Sequence, residues 1–137
     1  MIGARSSSGP ANYLGGGGAS APHYLEGHRP EALAIVDGER LTLVAKAQGA
    51  RSGLMYDPDM GLDLRLSCSA AGHAWLMTLP EDQAIEMVTR QGMGDPRHYG
   101  PNAPTSIKAL LKVLAGHRKR GFSLIEDTYA PGMSSMA

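Results

Sequence analysis

The sequence predicts an α+β domain, and three observations carry that prediction. Two apolar runs flank an Asp-Gly pair within residues 32–45, and a regular apolar stripe marks a helix at residues 107–121. A further short apolar run follows that helix directly. The resulting order is hairpin, strand, helices, strand, with no internal repeat, which suits a sheet with helices packed on it.

The hairpin comes first. Residues 32–36 are apolar, Asp37-Gly38 follows, and Leu41, Leu43 and Ala45 then alternate onto one face. Asp-Gly between such runs predicts a type I′ turn, because both of its central residues need positive φ. Gln48-Gly49 ends the second strand, and residues 54–56 form another short strand before Asp57-Pro58-Asp59. Ser67 or Ser69 caps a helix over 70–78. Pro80, with Glu81 and Asp82, opens a second helix that carries Ala84, Ile85 and Val88 on one side. Residues 92–104 read as a loop. Thr105 or Ser106 caps the third helix, where Ile107, Leu110, Leu111 and Leu114 follow the i, i+3, i+4, i+7 rule and Gly121 is the stop. Residues 122–128 leave it as a strand, Pro131-Gly132 bends the chain, and 133–137 begin one more strand.

Composition narrows the class. A chain of 137 residues is one domain at most, and 42% hydrophobic residues suffice for a core. Thirteen basic residues balance thirteen acidic ones, so no global field draws the chain to nucleic acid or an anionic membrane. A single cysteine, Cys68, excludes an internal disulfide and suits a reducing compartment. No apolar run approaches a membrane span and no signal-peptide core is present, so a cytoplasmic location is expected. Residues 1–28 are dominated by Gly, Ser, Ala and Pro, with four consecutive glycines at 15–18. Such a stretch buries too little apolar surface to offset its ordering entropy, and it reads as a flexible leader outside the domain.

The candidate chemistry centres on Ser69-Ala70-Ala71-Gly72. Four small residues at a helix start let a ligand approach the backbone, and the first N–H groups of a helix suit a carboxylate or other anion. The bland alternative is that Ser69 only caps and the alanines only permit close packing. Other constellations fail on spacing. Cys68 and His73 lack a partner at zinc spacing and an acid nearby, so a buried cysteine beside a helix is the better account. SCSAAG is not a nucleophile elbow, and Gly92-Met93-Gly94 follows no strand. His23, His28, His98 and His117 read as surface histidines, and Arg118-Lys119-Arg120 as cations meeting a helix C-terminus. Glu126 and Asp127 read as solvated charges with no acid–base partner. Neither catalytic groups nor a metal or cofactor site is expected.

Four segments in order resemble the effector-binding domain of the IclR family of bacterial transcriptional regulators. They are LAIVDGERLTLVAKAQG (33–49), LRLSCSAAGHAWLMTLPED (64–82), GPNAPTSIKALLKVLAGHRKRGFSL (100–124) and EDTYAPGMSSMA (126–137). The second resembles the family's Leu-His-x-Ser/Thr-x-x-Gly-Lys-Ala-x-Leu pattern, although His73 replaces its Lys and Ser67 its His. The resemblance covers residues 32–137 and implies a GAF/profilin-like antiparallel sheet with flanking helices, incomplete at its C-terminus. It implies a small organic or aromatic acid as effector, bound by Tyr56 and Leu64 on one wall, Ile125 and Ser135 on the other, and Ser69, Ala70 and Ala71 at the helix start. Family members that bind short keto acids carry an acidic residue where this chain has Ile125, so a more apolar or aromatic acid is expected here. The resemblance also implies a homo-oligomer, and DNA contact only through a helix-turn-helix that this chain lacks. A ligand-free dimerisation or protein-interaction module of the same fold is the alternative. Without the family's closing strands, the last strand is expected to leave an unpaired sheet edge.

Overall fold

A computed structural model describes residues 2–6, 31–47, 61 and 64–137. It contains strands β1 (Ile2–Ser6), β2 (Glu31–Asp37) and β3 (Arg40–Ala47), then helices α1 (Ala70–Leu76), α2 (Glu81–Gln91) and α3 (Ile107–Arg120). Strands β4 (Leu124–Glu126) and β5 (Ser134–Met136) follow. The α+β expectation is met. All five strands form one sheet in the order β3-β2-β1-β5-β4, and every neighbouring pair is antiparallel.

The β2–β3 hairpin forms where the sequence placed it, but its turn differs. Asp37 pairs with Arg40, which makes Gly38 and Glu39 the central residues. Only Gly38 has positive φ, at 60°. Glycine first and an ordinary residue second is the pattern of a type II′ turn, not the type I′ expected. Along the strands Ala34, Leu41 and Leu43 are buried while Ile35 and Val44 remain over a third exposed. Residues 61 and 64 then run beside β3, where the Gly61 N–H donates to Leu43 O and that of Leu64 to Leu41 O, at 2.9 and 2.8 Å. The strand expected at 54–56 lies outside the described residues.

Helix boundaries follow local chemistry. Ser69 caps α1, its Oγ accepting from the Gly72 N–H at 3.0 Å, and Ser106 caps α3 by accepting from Ala109. Gly121 ends α3 in the left-handed region at φ 83°, as its missing Cβ allows. Arg118 donates to the carbonyls of Met77 and Leu79, satisfying acceptors just past α1 and tying it to α3. Every residue of α1 is buried. The core joins Leu66, Trp75 and Leu76 around α1 to Val88 of α2, Leu110 and Leu114 of α3, Leu41 of the hairpin and Ile125 of β4.

The sheet also takes in residues near the start of the chain. Part of the leader lies within the fold: β1 sits between β2 and β5, pairing Ala4 with Ala32 and Arg5 with both Glu31 and Met136. It therefore covers the edge of β5 that the sequence left unpaired. A ladder is held by backbone groups that every non-proline residue has, so strand pairing does not depend on side-chain composition.

Gly100 marks the tightest packing. Its N–H donates to Thr128 O at 3.0 Å, and a Cβ there would stand 2.0 Å from the Asp127 carbonyl oxygen. Because that obstacle is backbone, Gly100→Ala is expected to lower stability by about 1–3 kcal/mol through a forced shift of residues 127–128. The midpoint of urea unfolding measures it.

Candidate functional site

The segment ahead of α1 is held from several sides. The Gln91 side chain bridges it, Oε1 accepting from the Leu66 N–H at 2.8 Å and Nε2 donating to Leu64 O at 3.0 Å. Arg65 reaches the other way, donating to the carbonyls of Gln91 and Gly92 at the end of α2 and to Tyr99 Oη. The Ser67 hydroxyl donates to Met93 O at 3.1 Å. This lattice fixes where the chain turns into α1. Gly72 is required there, because a Cβ would lie 2.7 Å from Leu66 Cα and Leu66 O.

Six of the seven expected ligand-binding residues fall within the described chain, and all six are buried: Leu64, Ser69, Ala70, Ala71, Ile125 and Ser135. Tyr56 lies outside it. Ile125 and Ser135 are direct cross-strand partners on β4 and β5. The Ser123 hydroxyl, one residue ahead of β4, donates to Ala70 O at 2.7 Å and binds that ladder to the first turn of α1. The start of α1 and the β4–β5 ladder thus meet in one seam, whereas Leu64 lies beside β3 at the other edge of the sheet. Ser69 serves as the cap that the bland reading assigned, and the buried alanines admit close packing, so both structural roles are met by the same residues.

Sequence reasoning missed a buried polar chain. His117 was expected on the surface, but it is only 2% exposed and faces fully buried His73. His73 Nδ1 stands 3.1 Å from His117 Nε2, His73 Nε2 lies 2.8 Å from Ser67 O, and an Arg120 guanidinium nitrogen lies 2.6 Å from His117 Nδ1. The termini of this chain dictate its tautomers. The Ser67 carbonyl can only accept, so His73 carries its proton on Nε2 and accepts at Nδ1. His117 then donates from Nε2 and accepts from Arg120 at Nδ1. Both rings are neutral. Burial pushes the His73 pKa down, against the raising effect of its bond to Ser67 O. Burial, then the neighbouring His73 and the Arg120 charge, lower His117 to about 4. A signal for this existed: Leu110, Leu114 and His117 follow i, i+4, i+7 and share the buried face of α3.

Cys68 is buried, and burial pushes its thiol up to about 12 despite the lowering influence of Arg65, so it is inert as a nucleophile. Among the described residues no three His, Cys, Asp or Glu side chains group as a metal site. Glu126 is exposed, whereas Asp127 adopts φ 50° and its carboxylate accepts from the Gly132 N–H.

Residues 28–137 match the family model "Bacterial transcriptional regulator IclR C-terminal". The chain belongs to the IclR family. Among curated relatives, the HTH-type transcriptional repressor AllR of Salmonella typhi is 27% identical over 105 residues, spanning 77% of this chain and 37% of the repressor. The transcriptional repressor IclR of Escherichia coli K12 is 32% identical over 78 residues, spanning 57% of this chain and 27% of that protein. The matched stretch thus spans little more than a third of the length of AllR and about a quarter of that of IclR. Solved structures agree on the fold. A transcriptional regulator of Rhodococcus sp. RHA1 superposes with a TM-score of 0.67 at 18% identity, over 81% of this chain and 43% of its own. An IclR homologue of Microbacterium hydrocarbonoxydans complexed with 4-hydroxybenzoate gives 0.60 at 14% identity, over 79% and 49%. The inducer-binding domain of Acinetobacter PobR, a double mutant complexed with 3-hydroxybenzoic acid, gives 0.59 at 15%, over 78% and 70%. This is an IclR regulatory domain, and no helix among its described residues is long and apolar enough to cross a membrane.

The histidine chain makes a pH prediction. The folded pKa values lie below the unfolded value of about 6.5, so the unfolded chain binds more protons in between. Stability is therefore complete above pH 6.5 and falls as pH drops from there toward about 4. Unfolding midpoints of the wild type should decline over that window. A His73→Gln/His117→Gln double variant should be less stable at pH 7.5 by about 1–3 kcal/mol yet show a shallower decline.

Proposed function

We propose that this domain senses a small aromatic carboxylic acid, held between the first turn of α1 and the β4–β5 ladder. The observation carrying the reading is the convergence of Ser69, Ala70 and Ala71 with Ile125 and Ser135 in a buried seam. Family membership supports it, as do the two hydroxybenzoate-bound structures that share the fold. The chemistry divides along the seam. The N–H groups opening α1 are donors a carboxylate can use, although Gly72's is already bound to Ser69. Ile125 offers an apolar surface for a ring and no charge to meet a second polar group, which favours aromatic over short keto acids. No step of covalent chemistry is involved, and the family relatives are transcriptional repressors.

Binding at this seam would act by population shift. An acid that fits one arrangement of α1 against β4–β5 better than another biases the assembly toward it, to the extent of that differential affinity. In the whole regulator, a homo-oligomer of such domains would pass this bias to a DNA-binding element carried by a different part of the polypeptide. The domain acts in the cytoplasm, where both the acids and the DNA are met.

Thermal unfolding with a panel of acids tests the site. Benzoate or 4-hydroxybenzoate at about 100 times its Kd should raise stability by about 2.7 kcal/mol, with pyruvate and glyoxylate giving less. Ser135→Ala should weaken the aromatic acid about tenfold. No shift with any acid would overturn the reading and favour the protein-interaction module. In gel-shift assays at low salt the chain should retain no operator DNA, and salt-sensitive, sequence-specific retention would contradict the assignment of DNA contact to another segment.

A further inference from the structure

The position of β1 raises a question of connectivity. Arg5 and Glu31 are directly paired, so β1 and β2 stand as two arms of an antiparallel hairpin. The neighbouring β2–β3 hairpin closes the same geometry with two residues, Gly38 and Glu39. Between β1 and β2 the chain instead inserts residues 7–30, some two dozen, four of them consecutive glycines. A chain of that length spans up to about 80 Å when extended, far more than the about 5 Å between paired strands.

This surplus has a thermodynamic meaning. A two-residue turn forces a strand to pair with its own neighbour. A long connection does not, because it lowers the effective concentration of the strand at its own slot to about the millimolar range. The slot itself is demanding. It offers two facing strand edges, β2 on one side and β5 on the other, and α1 packs beside the strand that fills it. Without that strand the sheet separates into a β2–β3 pair and a β4–β5 pair, each with an unpaired backbone edge. A strand of identical sequence from a second copy makes every one of the same contacts, so only concentration separates the closed and exchanged forms.

We propose that β1 is an exchangeable strand: the slot between β2 and β5 accepts residues 2–6 of a second copy of this chain, giving a reciprocal strand-swapped dimer. Partner and slot are specified by the ladder registers Ala4 with Ala32 and Arg5 with Met136. This inference stands independently of the ligand.

Cysteine pairing in the full-length chain tests it. Ala4 and Ala32 are cross-strand partners, at a Cα separation that a disulfide can bridge. The buried Cys68 thiol, raised to about 12, does not compete. Chains carrying only Ala4→Cys and chains carrying only Ala32→Cys, one set size-tagged, are unfolded, refolded together and oxidised at rising concentration. The mixed disulfide between the two variants should increase about tenfold for each tenfold rise in concentration below the millimolar range, and exceed disulfides between like variants. The double variant should crosslink within one chain when dilute and between chains when concentrated. Intramolecular crosslinks alone at every concentration would overturn the proposal, as would no Ala4–Ala32 pairing in either form. For the unmodified chain, refolding at high concentration should leave a dimer that survives brief dilution on size exclusion. Monomer throughout would count against exchange in the same way.

Discussion

The backbone ladder of β1 is the interaction on which the architecture rests. It joins β2 to β5 and thereby the N-terminal hairpin to the strands that follow α3. Its hold comes from peptide groups, which cannot be left unpaired inside a protein without loss of stability. Helix α1 lies beside it, and α1 carries the candidate site. The geometry of the seam between α1 and β4–β5 therefore depends on a strand contributed from the opposite end of the chain.

A second constraint acts on α1 from its other side. Arg118 ties the segment after α1 to α3, while the chain of Arg120, His117, His73 and Ser67 O carries hydrogen bonds from the end of α3 to the turn ahead of α1. Each group in this chain has one usable role, so no proton can be added without breaking a bond. Burial, which penalises the charged form of both rings, acts in the same direction. Ser123 and Gln91 complete the fixation by binding the first turn of α1 to β4 and the preceding segment to α2. A seven-residue helix is thus held by three neighbours.

Much of this was legible in the sequence. Periodicity located α3, and Ser106 and Gly121 marked its ends within a residue. Asp37-Gly38 located the hairpin but gave the wrong primed turn, because the pairing register and not the dipeptide decides which residues are central. The small-residue start of α1 and the Pro-Gly strand led to the family, which the match over residues 28–137 establishes. The candidate site was legible only as fragments. Nothing in spacing alone says that Ile125 and Ser135 face each other, or that Ser123 reaches Ala70.

What the sequence determined by itself was local: helix caps, turn positions, the apolar stripes and an inert buried cysteine, each set by neighbours within about four residues. Tertiary structure decided the rest. It brought residues 2–6 into the middle of the sheet, because backbone pairing is blind to a segment's polarity. It also turned His117 from an expected surface histidine into the buried, neutral partner of His73, because burial penalises the charged form and a hydrogen-bonded neighbour 44 residues away satisfies the neutral one.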